Sequence, residues 1–297
     1  MTESEYNYQM ESPVPFPPET VVSLVPSMTE SLFDLGVGDR LIAITDYCVY
    51  PEAETAKLPR IGGTKNPDVA RIIAMKPELV IMNQEENRLE DAEALKAAGI
   101  PVWVTFPRTV REAFNLLWSI MDVFDRPDMV ERVRVMEWTV DWLERMEHDP
   151  PCRVFAPIWY DPLMTFNADT FAHDLLRLCG GENVFAERER QFPLKADLGQ
   201  AEPLSPDDPR IAGRDTRYPR VTLEEVEAAQ PDMILLPSEP FPFDESHIAI
   251  FSALDVPAVR NNQIKLVDGS LLTWHGTRMA RAFNTIPALL CTPPNAE

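Results

Sequence analysis

One pattern of hydrophobic and polar positions occurs twice in this chain, in copies that lie 154 positions apart. Each copy begins with an amphipathic segment that ends at a proline, Pro77 in the first copy and Pro231 in the second. Because proline ends a helix at the residue before it, each segment is predicted to be a helix. A short, purely apolar run follows at residues 79–82 and 233–236, which is typical of a strand covered on both faces. The repeat therefore predicts two similar α/β lobes.

The first lobe is predicted at residues 20–125, after an acidic and proline-rich segment at residues 1–19 that we expect to be a flexible tail. Besides the repeated run, its strands are expected at residues 21–25, 41–45 and 102–105. Its helices are expected from Ser27 or Thr29 to Gly36, at 92–98 and at 109–124. In open α/β sheets of this kind, ligands bind at the carboxyl ends of the strands.

A single long helix is predicted between the lobes, at residues 126–149. Its apolar positions form one continuous stripe on one helical face: Met129, Val133, Met136, Val140 and Leu143. About 20 residues at roughly 1.5 Å per residue give a rod near 30 Å long. We interpret it as a rigid backbone helix joining the lobes, although a coiled-coil partner would also explain the stripe.

The second lobe is predicted at residues 150–297. It is expected to start with a strand at residues 154–158 and to continue with a helix at 171–178. Residues 188–217 are polar and proline-rich and show neither a helical nor a strand period, which predicts a long loop. After the second copy of the repeat we expect a strand at 264–267 and a last helix from about Gly276 to Leu290.

Composition limits the partners that the protein can have. The formal net charge is −21 and the isoelectric point is near 4.6, which argues against nucleic acid and against an anionic membrane surface. No apolar stretch is long enough to cross a bilayer, so we expect no membrane insertion. The first twenty residues do not resemble a signal peptide. As written, the chain is predicted to be cytoplasmic, and periplasmic or on the cell surface if the true start lies upstream.

Candidate ligand-binding residues follow the predicted strands at the carboxyl edge of each lobe. The aromatic side chains among them offer wide, stiff apolar surfaces for a bulky ligand with a flat face and polar edges. The candidates in the first lobe are Ser27, Thr29, Tyr47, Lys65, Asn66, Glu85, Glu86 and Asn87. Those in the second lobe are Trp159, Tyr160, Arg217, Tyr218, Glu239, Trp274 and His275.

Two of these candidates, Glu85 and Glu239, occupy the same position in the two copies of the repeat. We expect them to face each other across the ligand cleft, where two carboxylates would favour a metal or a cationic group. His275 could add a nitrogen ligand, which gives Glu85, Glu239 and His275 as the candidate metal set. The alternative is that both carboxylates are solvated loop residues. The chain has no nucleophile elbow, zinc-protease motif or phosphate-binding loop, so we do not expect an enzyme.

Several segments together resemble the class III substrate-binding proteins of ABC importers, the cobalamin and ferric-siderophore receptors. They are VVSLVPSMTESLFDLGVGDRLIAIT near the start, ARIIAMKPELVI, LLRLCGGENVF and VTLEEVEAAQPDMILL. The resemblance covers residues from about 20 to about 290. It implies two α/β lobes joined by a rigid helix, with the ligand held in a cleft between them. It also implies acidic residues that dock on the transporter, matched here by Glu224, whereas the first-lobe counterpart falls at Ala70, close to Asp68.

The leading hypothesis is therefore a substrate-binding protein of an ABC importer, expected to be a monomer with an ABC permease as partner. No cofactor is required, and the expected ligand is cobalamin, a ferric siderophore or a metal ion. The alternative is a cytosolic corrinoid or metal binding and delivery protein that does not dock on a transporter. The start without a leader and the absent first-lobe docking glutamate favour that alternative.

Overall fold

The computed structural model describes residues 9–10, 16–147, 150–205 and 207–290. Most of the predicted tail therefore lies outside the described residues. Within them the chain divides into two compact units. The first contains the residues up to Pro107, Arg111–Trp138 and Trp274–Arg278, and the second contains Arg108–Val110, Thr139–Thr273 and the chain from Met279 onward.

The first unit is built on a five-stranded sheet. Its strands are β1 (Gln9–Met10), β2 (Val21–Ser23), β3 (Leu41–Ile44), β6 (Leu79–Asn83) and β7 (Val102–Thr105), and their order in the sheet is β1-β7-β6-β2-β3. All neighbours are parallel except β1, which pairs antiparallel with β7. A separate small hairpin pairs β4 (Gly62–Gly63) with β5 (Asn66–Pro67).

Helices connect or follow these strands along the chain. They are α1 (Pro26–Asp34), α2 (Glu52–Thr55), α3 (Val69–Met75), α4 (Leu89–Ala97) and α5 (Val110–Val123). The core under the sheet includes Val22, Val80 and Val102 from three neighbouring strands, packed against Ile72 of α3 and Leu95 of α4. These strands are buried, as the apolar runs predict, because helices cover the sheet.

The second unit is built on a four-stranded parallel sheet. Its strands are β8 (Cys152–Phe155), β9 (Gly181–Asn183), β10 (Met233–Pro237) and β11 (Ile264–Val267), in the order β11-β10-β8-β9. Its helices are α7 (Phe171–Leu178), α8 (Leu223–Ala229), α9 (Glu245–Phe251), α10 (Pro257–Arg260), α11 (Ser270–Thr273) and α12 (Met279–Leu290). The core combines Phe155, Ile234 and Leu236 from the sheet with Val226 of α8 and Phe251 of α9.

The duplicated pattern corresponds to duplicated structure. Helices α3 and α8 begin 154 positions apart, and so do strands β6 and β10. Both helices end at a residue in the left-handed conformation, Lys76 with φ 51° and Gln230 with φ 46°. The proline that follows each of these residues cannot continue the helix, so the chain turns into the strand at the same point in both copies.

The expected bounds of two elements need correction. The strand predicted at 154–158 runs from Cys152 to Phe155, and Pro157 cannot donate a ladder hydrogen bond. The long helix α6 covers Val130–Leu143, after a 3-10 turn at Pro127–Met129. Its 14 residues span about 21 Å rather than 30 Å. The predicted stripe is its inner face, since Val133, Val140 and Leu143 are buried.

Elsewhere the expectations hold closely. The described residues of the segment 188–217 contain no strand and form one short 3-10 turn at Ala196–Leu198. Pro287 lies inside α12 without ending it. No helix in the described part of the chain is both long enough and apolar enough to cross a membrane. The domain boundaries and the bridging role of α6 stay predictions.

Candidate functional site

Each sheet has a point at which the direction of strand succession reverses. In the first unit the chain passes from β2 to β3 on one side and later returns to β6 on the other side of β2. In the second unit it passes from β8 to β9 and later returns to β10 on the other side of β8. Loops that leave the sheet on either side of such a point diverge and form a crevice, where open α/β sheets bind ligands.

In the first unit, Asn87 ties together the two loops at the crevice. Its side-chain oxygen accepts a 2.7 Å hydrogen bond from the backbone N–H of Asn83, at the end of β6. Its amide nitrogen donates to the carbonyls of Leu24, after β2, and Thr64, at 3.2 and 3.0 Å. Asn87 is buried, so this predicted ligand-binding residue fixes loop positions rather than presenting its side chain at the surface.

A buried polar layer lies beneath these loops and involves His275. Both ring nitrogens of His275 are 3.4 Å from Ser27 Oγ, and Asn83 Nδ2 is 3.5 Å from His275 Nε2. The ring is fully buried, and this burial lowers its pKa to about 4. His275 is therefore neutral near pH 7.

The segment Trp274–Arg278 is held against α1 by further buried contacts. Arg278 Nε donates to Glu30 Oε2 at 2.8 Å, and both side chains are buried. The guanidinium of Arg278 also lies 4.2 Å from the centre of the Tyr50 ring and 5.1 Å from that of Trp274, which are favourable cation–π distances. The Tyr50 and Trp274 rings meet edge to face at 5.8 Å.

Five predicted site residues in this unit lie below the surface, namely Ser27, Thr29, Asn87, Trp274 and His275. Trp274 is 8% exposed and packs against Tyr50, and Thr29 is completely buried. The Thr29 hydroxyl donates to the Val25 carbonyl at 3.0 Å and contacts Cys48 Sγ at 3.1 Å. Their role in ligand binding stays a prediction, and the buried side chains of Trp274, Thr29 and His275 pack among neighbouring residues of the unit. They support the loops above them.

The exposed part of this edge is formed by the loop after β3 and the hairpin β4–β5. Tyr47 is 62% exposed, and its ring passes over Gly63, where an added Cβ would lie 3.3 Å from Tyr47 Cε2. Lys65 Nζ donates to the Glu85 carbonyl at 2.6 Å, which joins the hairpin to the loop after β6. The predicted residues Tyr47, Lys65, Asn66, Glu85 and Glu86 are thus brought to one edge of the unit, with Glu85 and Glu86 half-buried.

In the second unit the crevice is aromatic. Trp159, from the loop after β8, meets Phe241, from the loop after β10, at 5.5 Å between ring centres. Trp159 Nε1 donates to the Asp161 carbonyl at 3.1 Å. The indole is therefore held by a hydrogen bond at its N–H group and by the ring contact with Phe241. It nevertheless remains 43% exposed. Tyr160 packs behind it, 6.1 Å from Phe241 and 5.1 Å from His247.

The other predicted residues of this unit are half-buried, and each contacts a neighbouring side chain. Arg217 forms a two-point ion pair with Asp215, at 2.9 and 2.6 Å, and stacks near Tyr218 at 5.3 Å. Glu239 lies two residues beyond β10, as Glu85 lies two residues beyond β6. Its Oε1 accepts a hydrogen bond from the Thr273 hydroxyl at 2.8 Å. The equivalent positions of the two glutamates are confirmed, and their role in binding stays a prediction.

The predicted metal set of Glu85, Glu239 and His275 stays a prediction. Within the described ranges, no group of three or more His, Cys, Asp or Glu side chains is placed to hold a metal ion. The ring of His275 is buried, and both of its nitrogens lie 3.4 Å from Ser27 Oγ.

Sequence reasoning missed Tyr50, Arg278 and Phe241. Tyr50 belongs to the same loop as Tyr47 and could have been found by its position after a strand. No local sequence pattern indicates the buried contact of Arg278, since its partner Glu30 is 248 positions away.

One cavity lies away from both crevices. It has a volume of about 410 Å³ and lies in the first unit, beside Leu41 at the amino end of β3. It is lined by Phe33, Gly36, Gly38, Asp39, Leu41, Glu54, Lys57 and Leu58. We place the candidate site at the carboxyl edges, because ligands of open α/β sheets bind there.

Known proteins share this sequence pattern and this fold. Residues 21–133 match the family described as periplasmic binding protein. The vitamin B12-binding protein of Yersinia pestis (strain Pestoides F) is 29% identical over 177 residues, which are 59% of this chain and 63% of that protein. The chain thus spans 63% of the length of the curated relatives it matches.

Two solved structures show the shared fold over nearly the whole chain. The periplasmic vitamin B12 binding protein BtuF of Vibrio cholerae gives a TM-score of 0.71 at 22% identity, covering 93% of this chain and 98% of that one. The periplasmic heme binding protein HutB of Vibrio cholerae gives 0.69 at 19% identity, covering 92% and 98%. The predicted fold of two α/β lobes is confirmed, and the sheet of each lobe is parallel or nearly so. The predicted resemblance to class III substrate-binding proteins is also confirmed.

Proposed function

We propose that this protein is the substrate-binding component of an ABC importer and that its ligand is a large, flat metal chelate of the cobalamin or heme type. The observation that carries the proposal is Trp159, a fixed indole that is 43% exposed at the strand-order reversal of the second sheet. A rigid aromatic ring at this place provides apolar contact area at little entropic cost. The named relatives, which bind vitamin B12 or heme, support the same ligand class.

The first unit supports the proposal by the character of its edge. Tyr47 offers a second exposed ring, and Lys65 and Asn66 next to it supply polar groups. An aromatic surface with polar groups at its margin suits a macrocycle whose edge carries amide or carboxylate groups.

Isothermal titration calorimetry with cyanocobalamin and haemin tests the proposal, and a ferric siderophore serves as the comparison ligand. We expect cyanocobalamin or haemin to bind, and Trp159→Ala to weaken that binding by about 2 kcal/mol, roughly thirtyfold. Trp138→Ala is the matched control, because Trp138 is exposed on α6 and belongs to neither sheet edge. Equal affinity of Trp159→Ala and the unmodified protein, or no binding of either cyanocobalamin or haemin, would contradict the proposal.

Docking on a transporter is proposed through Glu224 and Asp68. Glu224 lies in the first turn of α8, and hydrogen bonds from its own backbone and from Thr222 lower its pKa, so it is ionised. Asp68 occupies the N-cap of α3, where Oδ1 accepts the Arg71 N–H at 3.0 Å. The position equivalent to Asp68 in the second copy is Thr222, the N-cap of α8.

This use of Asp68 as a helix cap favours a second candidate function, namely ligand storage or delivery without a transporter. In that case the carboxylate has a structural role only, and a neutral capping residue would replace it without loss.

A further inference from the structure

The outer face of α6 carries an unusual concentration of exposed apolar side chains. Among the described residues, eleven large hydrophobic side chains are exposed, and four of them lie on or directly after this helix. They are Val135, Trp138, Trp142 and Met146, at 57%, 62%, 60% and 38% exposure. Exposed tryptophans are concentrated at binding surfaces, because each buries a large area when it is covered. We call the surface formed by these four residues the outer face of α6.

Helical geometry places two charged residues on the same line as the central tryptophan. Glu131 lies seven positions before Trp138 and Arg145 seven positions after it, and seven residues are close to two full turns. Both charged side chains are exposed. Arg145 lies in the turn that continues α6, where its backbone N–H donates to the Trp142 carbonyl at 3.1 Å. Along this line an acidic residue, Glu131, is followed by Trp138 and then by a basic residue, Arg145.

Such a line is complementary to itself when it is reversed. If two copies of α6 pack antiparallel with Trp138 at the two-fold axis, each Glu131 meets the partner's Arg145. Val135, three positions before the axis, meets the partner's Trp142, four positions after it. A two-fold interface requires one patch to match itself in this way. A parallel pairing would instead place Glu131 against Glu131.

We propose that the outer face of α6 is a self-association surface that binds a second copy of this chain in antiparallel orientation, centred on Trp138. A pair of helices of this length buries less area than a standard stable interface, so the dimer is weak and depends on concentration. The net charge of −21 on each copy opposes association, so added salt strengthens the dimer until the ion pairs themselves are screened. The proposal departs from the monomer expected from the sequence, and it does not depend on the ligand.

Sedimentation velocity of the full chain, from about 5 to about 500 µM in physiological salt, tests the proposal, since weak interfaces show themselves only at high concentration. We expect a monomer at the low end and a growing dimer at the high end. Trp138→Ser removes the central contact and abolishes the dimer. Circular dichroism and thermal unfolding of each variant confirm that the chain remains folded.

Charge reversal tests the pairing itself. Glu131→Arg alone places two arginines together at both ends of the interface and weakens the dimer roughly tenfold, because two favourable pairs become repulsive. Arg145→Glu alone acts equally. The double variant Glu131→Arg with Arg145→Glu restores the dimer, since the pairs re-form with reversed sign. The control with the same charge change is Glu93→Arg, at another exposed acid on α4. It adds no repulsion at the outer face of α6, so we expect it not to weaken the dimer.

Three results would overturn the proposal. A monomer at every concentration would show that a second copy does not bind this face. A dimer that Glu131→Arg does not weaken would lie on a different surface. A double variant that stays as weak as the single variants would exclude the antiparallel register.

Discussion

The buried ring of His275 should make this protein lose stability in mild acid. In an unfolded chain the imidazole has a pKa of 6.5, whereas burial lowers the pKa in the folded protein to about 4. Above pH 6.5 the ring is neutral in both states and has no effect. Between pH 6.5 and about 4 the unfolded chain binds a proton that the folded protein excludes. Lowering the pH through this window therefore favours unfolding.

The size of this effect follows from the shift. Each unit of pKa difference corresponds to about 1.4 kcal/mol, so the full window costs about 3 kcal/mol. The replacement His275→Gln cannot be protonated and keeps a nitrogen donor that can reach Ser27 Oγ, the group now 3.4 Å from both ring nitrogens. We expect this variant to lack the 3 kcal/mol loss, while all other acid effects remain the same in both proteins.

Urea unfolding from pH 7.5 to pH 4 measures the difference in the free energy of unfolding between the two proteins. Nuclear magnetic resonance of the imidazole carbons gives the pKa directly, with the His275→Gln spectrum identifying the resonance. His275→Asn serves as a second variant if the first is poorly folded. A His275 resonance that titrates near pH 6.5, or parallel stability curves for wild type and variant, would show that the ring is not buried as described.

Two further predictions concern a glycine and the docking acids. Gly276→Ala should lower the melting temperature far more than Gly99→Ala: both residues have positive φ, 82° and 78°, but a Cβ on Gly276 would lie 2.2 Å from Ser31 Oγ and one on Gly99 has nothing within 4 Å. Equal shifts for the two variants would mean that only backbone strain matters. Asp68→Ser keeps a side chain that can cap α3 but removes the charge, and with Glu224→Gln it should reduce uptake in a transport assay without changing ligand affinity. Unchanged uptake would instead favour delivery without a transporter.

The repeat made the alternation of helices and strands predictable from sequence. Lys76-Pro77 and Gln230-Pro231 end two helices at equivalent places, and the buried runs that follow have the length and purity of covered strands. These features depend on local properties, namely the missing N–H of proline and the apolar face that a covered strand needs. For the same reason Glu85 and Glu239 could be placed after their strands without a structure.

The composition of the site depended on contacts that no local pattern encodes. Trp274–Arg278 follows the second unit's last strand in sequence, yet it packs on α1 of the first unit through His275 with Ser27 and Arg278 with Glu30. These partners are 248 positions apart.

Exposure was likewise decided by the tertiary structure. Trp159 and Trp274 both follow strands or lie near them in sequence, but Trp159 stays half-exposed beside Phe241 whereas Trp274 is buried beside Tyr50. On α6 the predicted apolar stripe includes the buried Val133, Val140 and Leu143, whereas a second apolar stripe through Trp138 stays exposed. The sequence determines which faces a helix or strand can bury, because periodicity is a local property. Which of them is covered depends on the neighbouring elements that the folded chain brings there.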